Sequence, residues 1–358
     1  MDDYLDSTHT ENKAKKSIAE VIDLYARGGF EIRNWTCSSK EVLKSIPANL
    51  RASDEDILLQ EDSFLPTERI LGLKWNPNMD IFFFTLNFHR VPDDVKSGQK
   101  SPTKREVLKL VMSLYDPLGF IANYTVAGKI FIQDVWRSGI GWDDEISHTL
   151  VEKWRLWISR LVDVEKVQIP WCYTTQMRNR SPVELHTFCD ASEKAFAAVS
   201  YLRVESGDIV DVSFMMARSR VAPLRPISIP RLELQAAMMG VRLVQTILEG
   251  HDIIVNQCYY WIDSRTVLCW LRSDARNYRQ FVGHRIGEVL ATSEVSDWRW
   301  LLLKVLLKTI QQTMLQGKTH LRSVLQGVGF VVQPFLVYLR STGLQQKKPQ
   351  TLLWRTWK

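Results

Sequence analysis

Three acidic residues stand at the ends or starts of apolar segments in the central part of the sequence. Asp190 ends the run VELHTFCD, Glu233 lies in PRLEL, and Asp263 ends CYYWID. Ionised carboxylates are seldom buried unless they are paired or bind a metal, because removing them from water is costly. Three of them on hydrophobic elements therefore predict a shared cation site. Oxygen ligands of this kind are those that Mg²⁺ prefers.

The segments around the three acids predict a mixed α/β fold. Alternating or apolar runs predict strands, and the run behind Pro230 predicts an apolar helix that begins at the proline and carries Glu233 in its first turn. The predicted strands are Leu185–Cys189, Ala195–Val204, Ile209–Arg218 and Ile253–Ile262, and a second helix is predicted over Ser264–Leu271. The order β-β-β-α-β-α brings the acids to one edge of a mixed sheet.

These blocks resemble a known family. The runs Cys-Asp190-Ala-Ser, Pro-Arg-Leu-Glu233-Leu and Trp-Ile-Asp263-Ser are similar to the RNase H domain of Pao/BEL-type long-terminal-repeat retrotransposon polyproteins. Part of this region also resembles the family named Pao retrotransposon peptidase. The resemblance extends in order over residues 1 to about 300. It implies an RNase H-like mixed sheet with flanking helices at 181–300, a helical thumb/connection block at 96–180, and a truncated reverse-transcriptase palm remnant at 1–95.

The resemblance also implies a chemistry. In RNase H-like nucleases, carboxylates hold two Mg²⁺ ions about 3.5–4 Å apart, and RNA paired to DNA is cut at the phosphodiester. Asp190 would bridge the ions, with Glu233 and Asp263 as further ligands. His284 falls near the position where RNase H domains carry a catalytic His or Asn. An RNA/DNA hybrid or another nucleic acid is the partner that the resemblance implies.

Arginines flank the predicted metal site and are candidates for phosphate contacts. They are Arg218, Arg220, Arg225 and Arg231. A structural interpretation stays open for each candidate. The acids can be ordinary surface residues at element ends, His284 can be structural, and the first three arginines can lie on a solvated loop face.

The N-terminal sequence begins Met-Asp2-Asp3-Tyr-Leu, which resembles the second half of the reverse-transcriptase catalytic box. Because the upstream part of the palm is missing, we interpret Asp2 and Asp3 as relic polymerase residues and expect no polymerase activity. The alternative is an acidic disordered N-terminus.

Four tryptophans, at positions 136, 142, 154 and 157, occur at helical spacing in the thumb/connection block. This spacing favours a place in the core over base stacking.

The charge pattern changes after residue 300. The first 300 residues carry 37 basic and 40 acidic side chains, whereas residues 301–358 carry nine basic and no acidic ones, for a total net charge of +6. In the family, an Asn-x-Ala-Asp segment with the fourth metal ligand follows the last strand, which the run Asp297–Trp300 matches. This chain continues LLLKVLLK instead. We interpret 301–358 as a divergent basic tail, with a frameshift as the hypothesis for its origin, and expect the nuclease to be weakened or inactive.

Three functions are therefore open. The first is metal-dependent RNA cleavage by a retrotransposon pol fragment, and the second is a catalytically dead remnant that binds nucleic acid or protein. The third, an aspartic peptidase, is disfavoured because no Asp-Thr-Gly or Asp-Ser-Gly occurs in the sequence.

Five cysteines without a Cys-x-x-Cys pair and the lack of an 18-residue apolar run predict an intracellular protein with no membrane span.

Overall fold

The structure is a computed structural model that describes residues 4–52, 64–70, 73–86, 88–89, 91–174, 181–207 and 209–300. Asp2, Asp3 and the basic tail at 301–358 lie outside the described residues. Contacts between Cα atoms divide the chain into two compact units. The first comprises residues 1–89 and 159–172, and the second comprises residues 90–158 and 173–358.

The first unit opens with helix α1, Glu11–Arg27, which begins where the Thr10 side chain accepts a hydrogen bond from the Lys13 amide. A side-chain oxygen at this position satisfies an amide that has no partner inside the helix. A short helix α2, Lys40–Lys44, follows. A small apolar cluster packs beside these helices and includes Trp35, Leu43, Ile46, Leu50 and Leu65.

An antiparallel sheet of four short strands completes the first unit. Its strands, in spatial order, are β1 (Glu68–Ile70), β2 (Leu73–Asn76), β3 (Ile81–Phe83) and β4 (Gln168–Pro170). Strand β4 comes from far along the chain and pairs with β3, with Phe82 opposite Ile169. The Trp171 ring stacks on Phe82 at a centroid distance of 4.8 Å. This pairing explains why residues 159–172 belong to the first unit.

The second unit begins with four helices. They are α3 (Asp93–Lys96), α4 (Lys104–Met112), α5 (Ala122–Arg137) and α6 (His148–Ser159). Trp154 and Trp157 are buried on α6, as the helical spacing predicts. The same prediction is wrong for Trp136 and Trp142, which are 39% and 44% exposed. These two rings form an edge-to-face pair at the end of α5 and contact Lys104 instead of the core.

The large sheet of the second unit has five strands. They are β5 (Val183–Ala191), β6 (Ala195–Ser206), β7 (Ile209–Val221), β8 (Gln257–Ile262) and β9 (Trp298–Trp300). Their spatial order is β7-β6-β5-β8-β9. Strands β5, β6 and β7 pair antiparallel, whereas β8 is parallel to β5 and β9 is parallel to β8. The predicted mixed sheet is confirmed.

One long helix, α7 (Ile229–Gly250), covers the sheet and contacts β5 and β6. It approaches closely at Gly240, where a Cβ atom would lie 2.4 Å from the Cys189 sulfur. Two shorter helices follow, α8 (Arg265–Leu271) and α9 (Gln280–Leu290). The predicted start of the fourth strand at Ile253 is wrong, because the strand begins at Gln257 and Ile254 is 83% exposed.

A tight loop joins the helical block to the outer strand of the large sheet. The carbonyl of Leu118 accepts a hydrogen bond from the Ala217 amide on β7, at 2.8 Å. Gly119 has a φ of +83°, and a Cβ atom there would lie 2.1 Å from the Ala217 carbonyl oxygen. The carboxylate of Asp116 accepts hydrogen bonds from the amides of Phe120 and Ile121 at the start of α5. The helical block and the large sheet therefore form one compact unit.

The described helices do not include one that is both long and apolar enough to cross a membrane. All five cysteines are free thiols.

Candidate active site

Asp190 and Asp263 lie at the same level of two neighbouring parallel strands. The register pairs Cys189 of β5 with Ile262 of β8; Asp190 is the next residue of β5, and Asp263 directly follows the end of β8. Neighbouring strands lie about 4.8 Å apart, so this register brings the two backbones close together. The predicted side-by-side arrangement of the two strands is confirmed. It follows from the apolar runs before each acid, which bury the strands against α7.

Glu233 reaches the same region from the first turns of α7. Pro230 fits the start of this helix because it has no amide hydrogen to satisfy. The hydroxyl of Ser264, next to Asp263, donates a short hydrogen bond to the Glu233 carboxylate. Burial raises the pKa of Glu233; the hydrogen bond from Ser264 opposes this effect, and the negative charge of Asp263 adds to it. The structure therefore places Glu233 and Asp263 together.

An open cleft of about 600 Å³ contains these two carboxylates. The indole nitrogen of Trp300 on β9 donates to the Asp263 carbonyl at 3.1 Å and so ties the end of β8 to its neighbour. The Arg265 guanidinium stacks over the Trp300 ring at 4.4 Å and supplies a positive charge beside the acids. The residues that line the cleft are Ile229, Pro230, Glu233, Asp263, Ser264, Arg265, Thr266 and Trp300.

Asp190 lies beside this cleft but does not join the pair in one compact group. Its side chain is buried, and its Oδ1 accepts a hydrogen bond from the Ala191 amide at 2.9 Å. Among the described residues, no three His, Cys, Asp or Glu side chains gather closely enough to hold a metal ion. The structure thus places Asp190 level with Asp263 through the backbone register, whereas Glu233 reaches the Asp263 region through its hydrogen bond with Ser264.

The donor set of the pair fits a hard divalent cation. Mg²⁺ is usually held by one or two carboxylates together with waters and phosphate oxygens, and it does not need a cage made only of protein groups. Glu233 and Asp263 supply two carboxylates from two different elements. The negative charge of Asp263 disfavours ionisation of Glu233, and a bound cation would relieve that repulsion. A partly buried, repelling pair of acids is therefore suited to divalent-metal binding.

The other predicted site residues lie outside the cleft. His284 is exposed on α9. Arg225 is exposed in the segment between β7 and α7, and Arg218 and Arg220 are exposed on β7. Arg231 is also exposed, in the first turn of α7, and its guanidinium lies over the Phe281 ring. Of these candidates, Arg231 is the one on the same helix as Glu233.

Sequence reasoning missed three residues that shape the cleft. Ser264 both holds Glu233 and accepts a hydrogen bond from the Val267 amide at the start of α8. Its position directly after Asp263, before an apolar helix, is typical of a helix-capping serine and was a usable signal. Arg265 and Trp300 left no such signal, because their contact joins a helix start to a strand about 35 residues later.

The sequence of residues 103–264 matches the family model described as Pao retrotransposon-like RNaseH-like domain. The matched segment contains all three predicted acids, and it also contains helices α4, α5 and α6. No curated protein matches the chain significantly.

Solved structures with RNase H folds are similar to the chain at low identity. RNase H1 from the halophilic archaeon Halobacterium salinarum NRC-1 is 15% identical, with 33% of this chain and 83% of that chain covered and a TM-score of 0.21. The N-terminal RNase H domain of Rv2228c from Mycobacterium tuberculosis, solved as a fusion with maltose-binding protein, is 9% identical, with 46% and 99% covered and a TM-score of 0.24.

A third similar structure is the foamy viral protease-reverse transcriptase in complex with dsDNA. It is 10% identical, with 68% of this chain and 47% of that chain covered and a TM-score of 0.20. The strand order of the large sheet, the acids at its edge and the family match over the same residues agree with one another. What the comparisons show for this chain is therefore a match of residues 103–264 to the family model of the Pao retrotransposon-like RNaseH-like domain.

Proposed function

We propose that the chain is part of a retrotransposon pol polyprotein whose RNase H-like domain cuts the RNA strand of RNA/DNA hybrids with the help of Mg²⁺. The observation that carries this proposal is the contact region of Glu233 and Asp263 at the end of β8. The two acids come from different elements and both line an open cleft, and the Ser264 hydroxyl next to Asp263 donates a hydrogen bond to Glu233. Asp190 on the adjacent strand is the third proposed ligand.

The residues around the pair have separate tasks in this proposal. Ser264 fixes the orientation of the Glu233 carboxylate through its hydrogen bond. Trp300 holds the backbone at Asp263 in place. Arg265 adds a positive charge at the cleft and is suited to attract a phosphodiester, because a planar guanidinium binds phosphate oxygens in pairs.

Divalent cations bound by such carboxylates polarise the phosphodiester and lower the pKa of the attacking water. The protein's part is to place the carboxylates, to limit their motion and to bring the phosphate next to them. Burial serves this function because it keeps Glu233 from adopting many solvated conformations and strengthens local electrostatic interactions.

We propose that this activity is weak. In the family that the sequence resembles, a fourth carboxylate follows the last strand, but residues 301–358 contain no Asp or Glu. Removing one electrostatic stabiliser from an active site lowers the rate by a factor on the order of 10²–10³. The second metal position is the one expected to be impaired.

We also propose a division of the chain into four parts. They are a palm remnant at 1–95, a thumb/connection block at 96–180, an RNase H-like domain at 181–300 and a divergent tail at 301–358.

A cleavage assay tests the proposal. The full chain is incubated with a labelled RNA/DNA hybrid, with and without Mg²⁺, beside Asp190→Asn, Glu233→Gln and Asp263→Asn. Glu249→Gln is the matched control, because Glu249 lies on the same helix as Glu233 but is exposed in its last turns. We expect slow Mg²⁺-dependent cleavage of the RNA strand that each site variant abolishes and that the control retains.

Two results would argue against this function. Cleavage that persists in Asp190→Asn, Glu233→Gln and Asp263→Asn would show that these acids are not the site. Tight hybrid binding without any Mg²⁺-dependent cleavage would favour the second candidate, a catalytically silent nucleic-acid-binding remnant. The specific observation behind that candidate is that no group of three metal-binding side chains exists among the described residues.

A further inference from the structure

Two arginines from different helices share one aromatic ring on the second unit. The Arg285 guanidinium on α9 lies 3.7 Å from the centroid of Phe281, and the Arg231 guanidinium on α7 lies 5.2 Å from the same centroid. One such contact stabilises a cation by its interaction with the ring face. Two cations on one ring also repel each other, so the arrangement concentrates positive charge at a single spot.

The surrounding acids do not neutralise this charge. Glu288, the acid whose charge acts on Arg285, is already ion-paired with Arg242 across α7 and α9. Within the described part of the chain, neither Arg231 nor Arg285 forms an ion pair. Burial lowers the pKa of Arg285; Glu288 opposes that effect, and the positive charge of Arg242 adds to it. The local field therefore remains positive.

The hydrogen-bond donors of the two guanidiniums are also mostly unused. Arg285 donates from Nη1 to the Phe281 carbonyl at 3.0 Å, while its Nε is buried and has no partner among the described residues. The Arg231 guanidinium makes no hydrogen bond within the same part of the chain. A guanidinium presents five donors in a fixed plane that matches the oxygens of a phosphate.

We propose that Arg231, Arg285 and Phe281 form a phosphate-binding subsite for the backbone of the nucleic-acid strand, separate from the carboxylate cleft. This inference rests on the proposed function and adds to it a point of substrate attachment. Phe281 holds both guanidiniums in place, so that their donors are already oriented when the phosphate arrives. Arg231 precedes Glu233 by two positions on α7, so the subsite and the cleft are built on the same helix end.

Salt-dependent binding tests the subsite without relying on cleavage. Binding of the full chain to a labelled RNA/DNA hybrid is measured by fluorescence anisotropy at several NaCl concentrations in EDTA. The variants are Arg231→Gln, Arg285→Gln and the double variant. Arg276→Gln is the matched control, because Arg276 is exposed and its charge is already paired with Asp274. Thermal melting checks that each variant is folded. If Arg285→Gln does not fold, the exposed Arg231→Gln variant still tests the subsite.

Loss of one phosphate contact is expected to reduce the slope of log K against log salt by about 0.9. The double variant should bind about tenfold more weakly at 0.1 M NaCl, whereas the control should match the wild type. A wild type that cleaves the hybrid while all arginine variants keep its slope would overturn the subsite and leave the proposed function standing. An arginine-dependent slope without cleavage would support the subsite against the proposed cleavage, and no hybrid binding at all would overturn both.

Discussion

Two partly buried carboxylates, Glu233 and Asp116, show how the same physical effect serves different tasks. Burial raises the pKa of both Glu233 and Asp116. Glu233 faces the negative charge of Asp263 in an open cleft, which suits a cation. Asp116 instead accepts amide hydrogen bonds from Phe120 and Ile121 and fixes the turn before α5. Geometry at the residue scale, more than the pKa shift itself, separates a candidate ligand from a structural acid.

Asp116 should make stability depend on pH in an unusual direction for an aspartate. Burial raises its pKa from 3.8 to about 6, while amide hydrogen bonds partly oppose the shift. Its contribution to stability is therefore complete below pH 3.8 and is lost as the pH rises through about 6. Relative to Asp116→Asn, the wild type should lose about 2–3 kcal/mol of unfolding free energy between pH 4 and 7.5. Urea unfolding at the two pH values measures the difference.

Asp143→Asn is the control for this comparison. Its exposed carboxylate accepts hydrogen bonds from Arg105, which hold the pKa of Asp143 below its ordinary value. The wild type should therefore gain stability relative to this variant as the pH rises through the acidic range. An Asp116→Asn difference that is constant with pH, or that changes in the same direction as in Asp143→Asn, would contradict the assignment.

At the scale of elements, the apolar patterns predicted those strands and helices whose position depends on burying an apolar face. Apolar runs predicted strands β5 and β6, and an apolar run behind Pro230 predicted helix α7. The same runs predicted that Asp190 and Asp263 lie side by side at the ends of neighbouring strands. Sequence could not predict β4, because three residues carry no periodic signal and their partner lies more than 80 positions earlier. Nor could it place Trp136 and Trp142, because helical spacing does not tell which ends of a helix leave the core.

The loop between the helical block and β7 gives a test of packing at this scale. Gly119 and Gly139 both have positive φ angles, +83° and +73°, but only Gly119 has backbone atoms of Ala217 where a Cβ would lie. Gly139→Ala should cost about 1 kcal/mol from its backbone conformation alone. Gly119→Ala should cost at least about 2 kcal/mol more, because the loop must leave β7. Chemical denaturation measures the unfolding free energy of both variants. Equal losses in the two variants would contradict this prediction.

At the scale of the whole molecule, the described residues contain two units with separate apolar clusters. One cluster surrounds Ile46 and the other surrounds Leu234. The first unit is assembled from distant parts of the chain, since residues 159–172 return to the sheet formed by β1, β2 and β3. Each unit therefore has its own buried core, which is the basis of cooperative unfolding.

The two clusters should report on two unfolding transitions. Ile46 and Leu234 are 2% and 0% exposed, so truncation to alanine removes fully buried methyl groups in either unit. Each variant should lose about 2–5 kcal/mol, and Ile46→Ala should lower one calorimetric transition while Leu234→Ala lowers the other. A single transition that both variants shift equally would show that the chain unfolds as one cooperative unit.

The central claim is that Glu233 and Asp263 form a binding site for a divalent cation. The most direct test is titration of the full chain with Mn²⁺, followed by electron paramagnetic resonance, which counts free and bound ions without requiring cleavage. We predict saturable binding that Glu233→Gln and Asp263→Asn each weaken at least about tenfold, since each removes a charged ligand. Glu249→Gln should bind like the wild type. Equal Mn²⁺ binding in all four proteins, or no saturable binding in the wild type, would contradict the account.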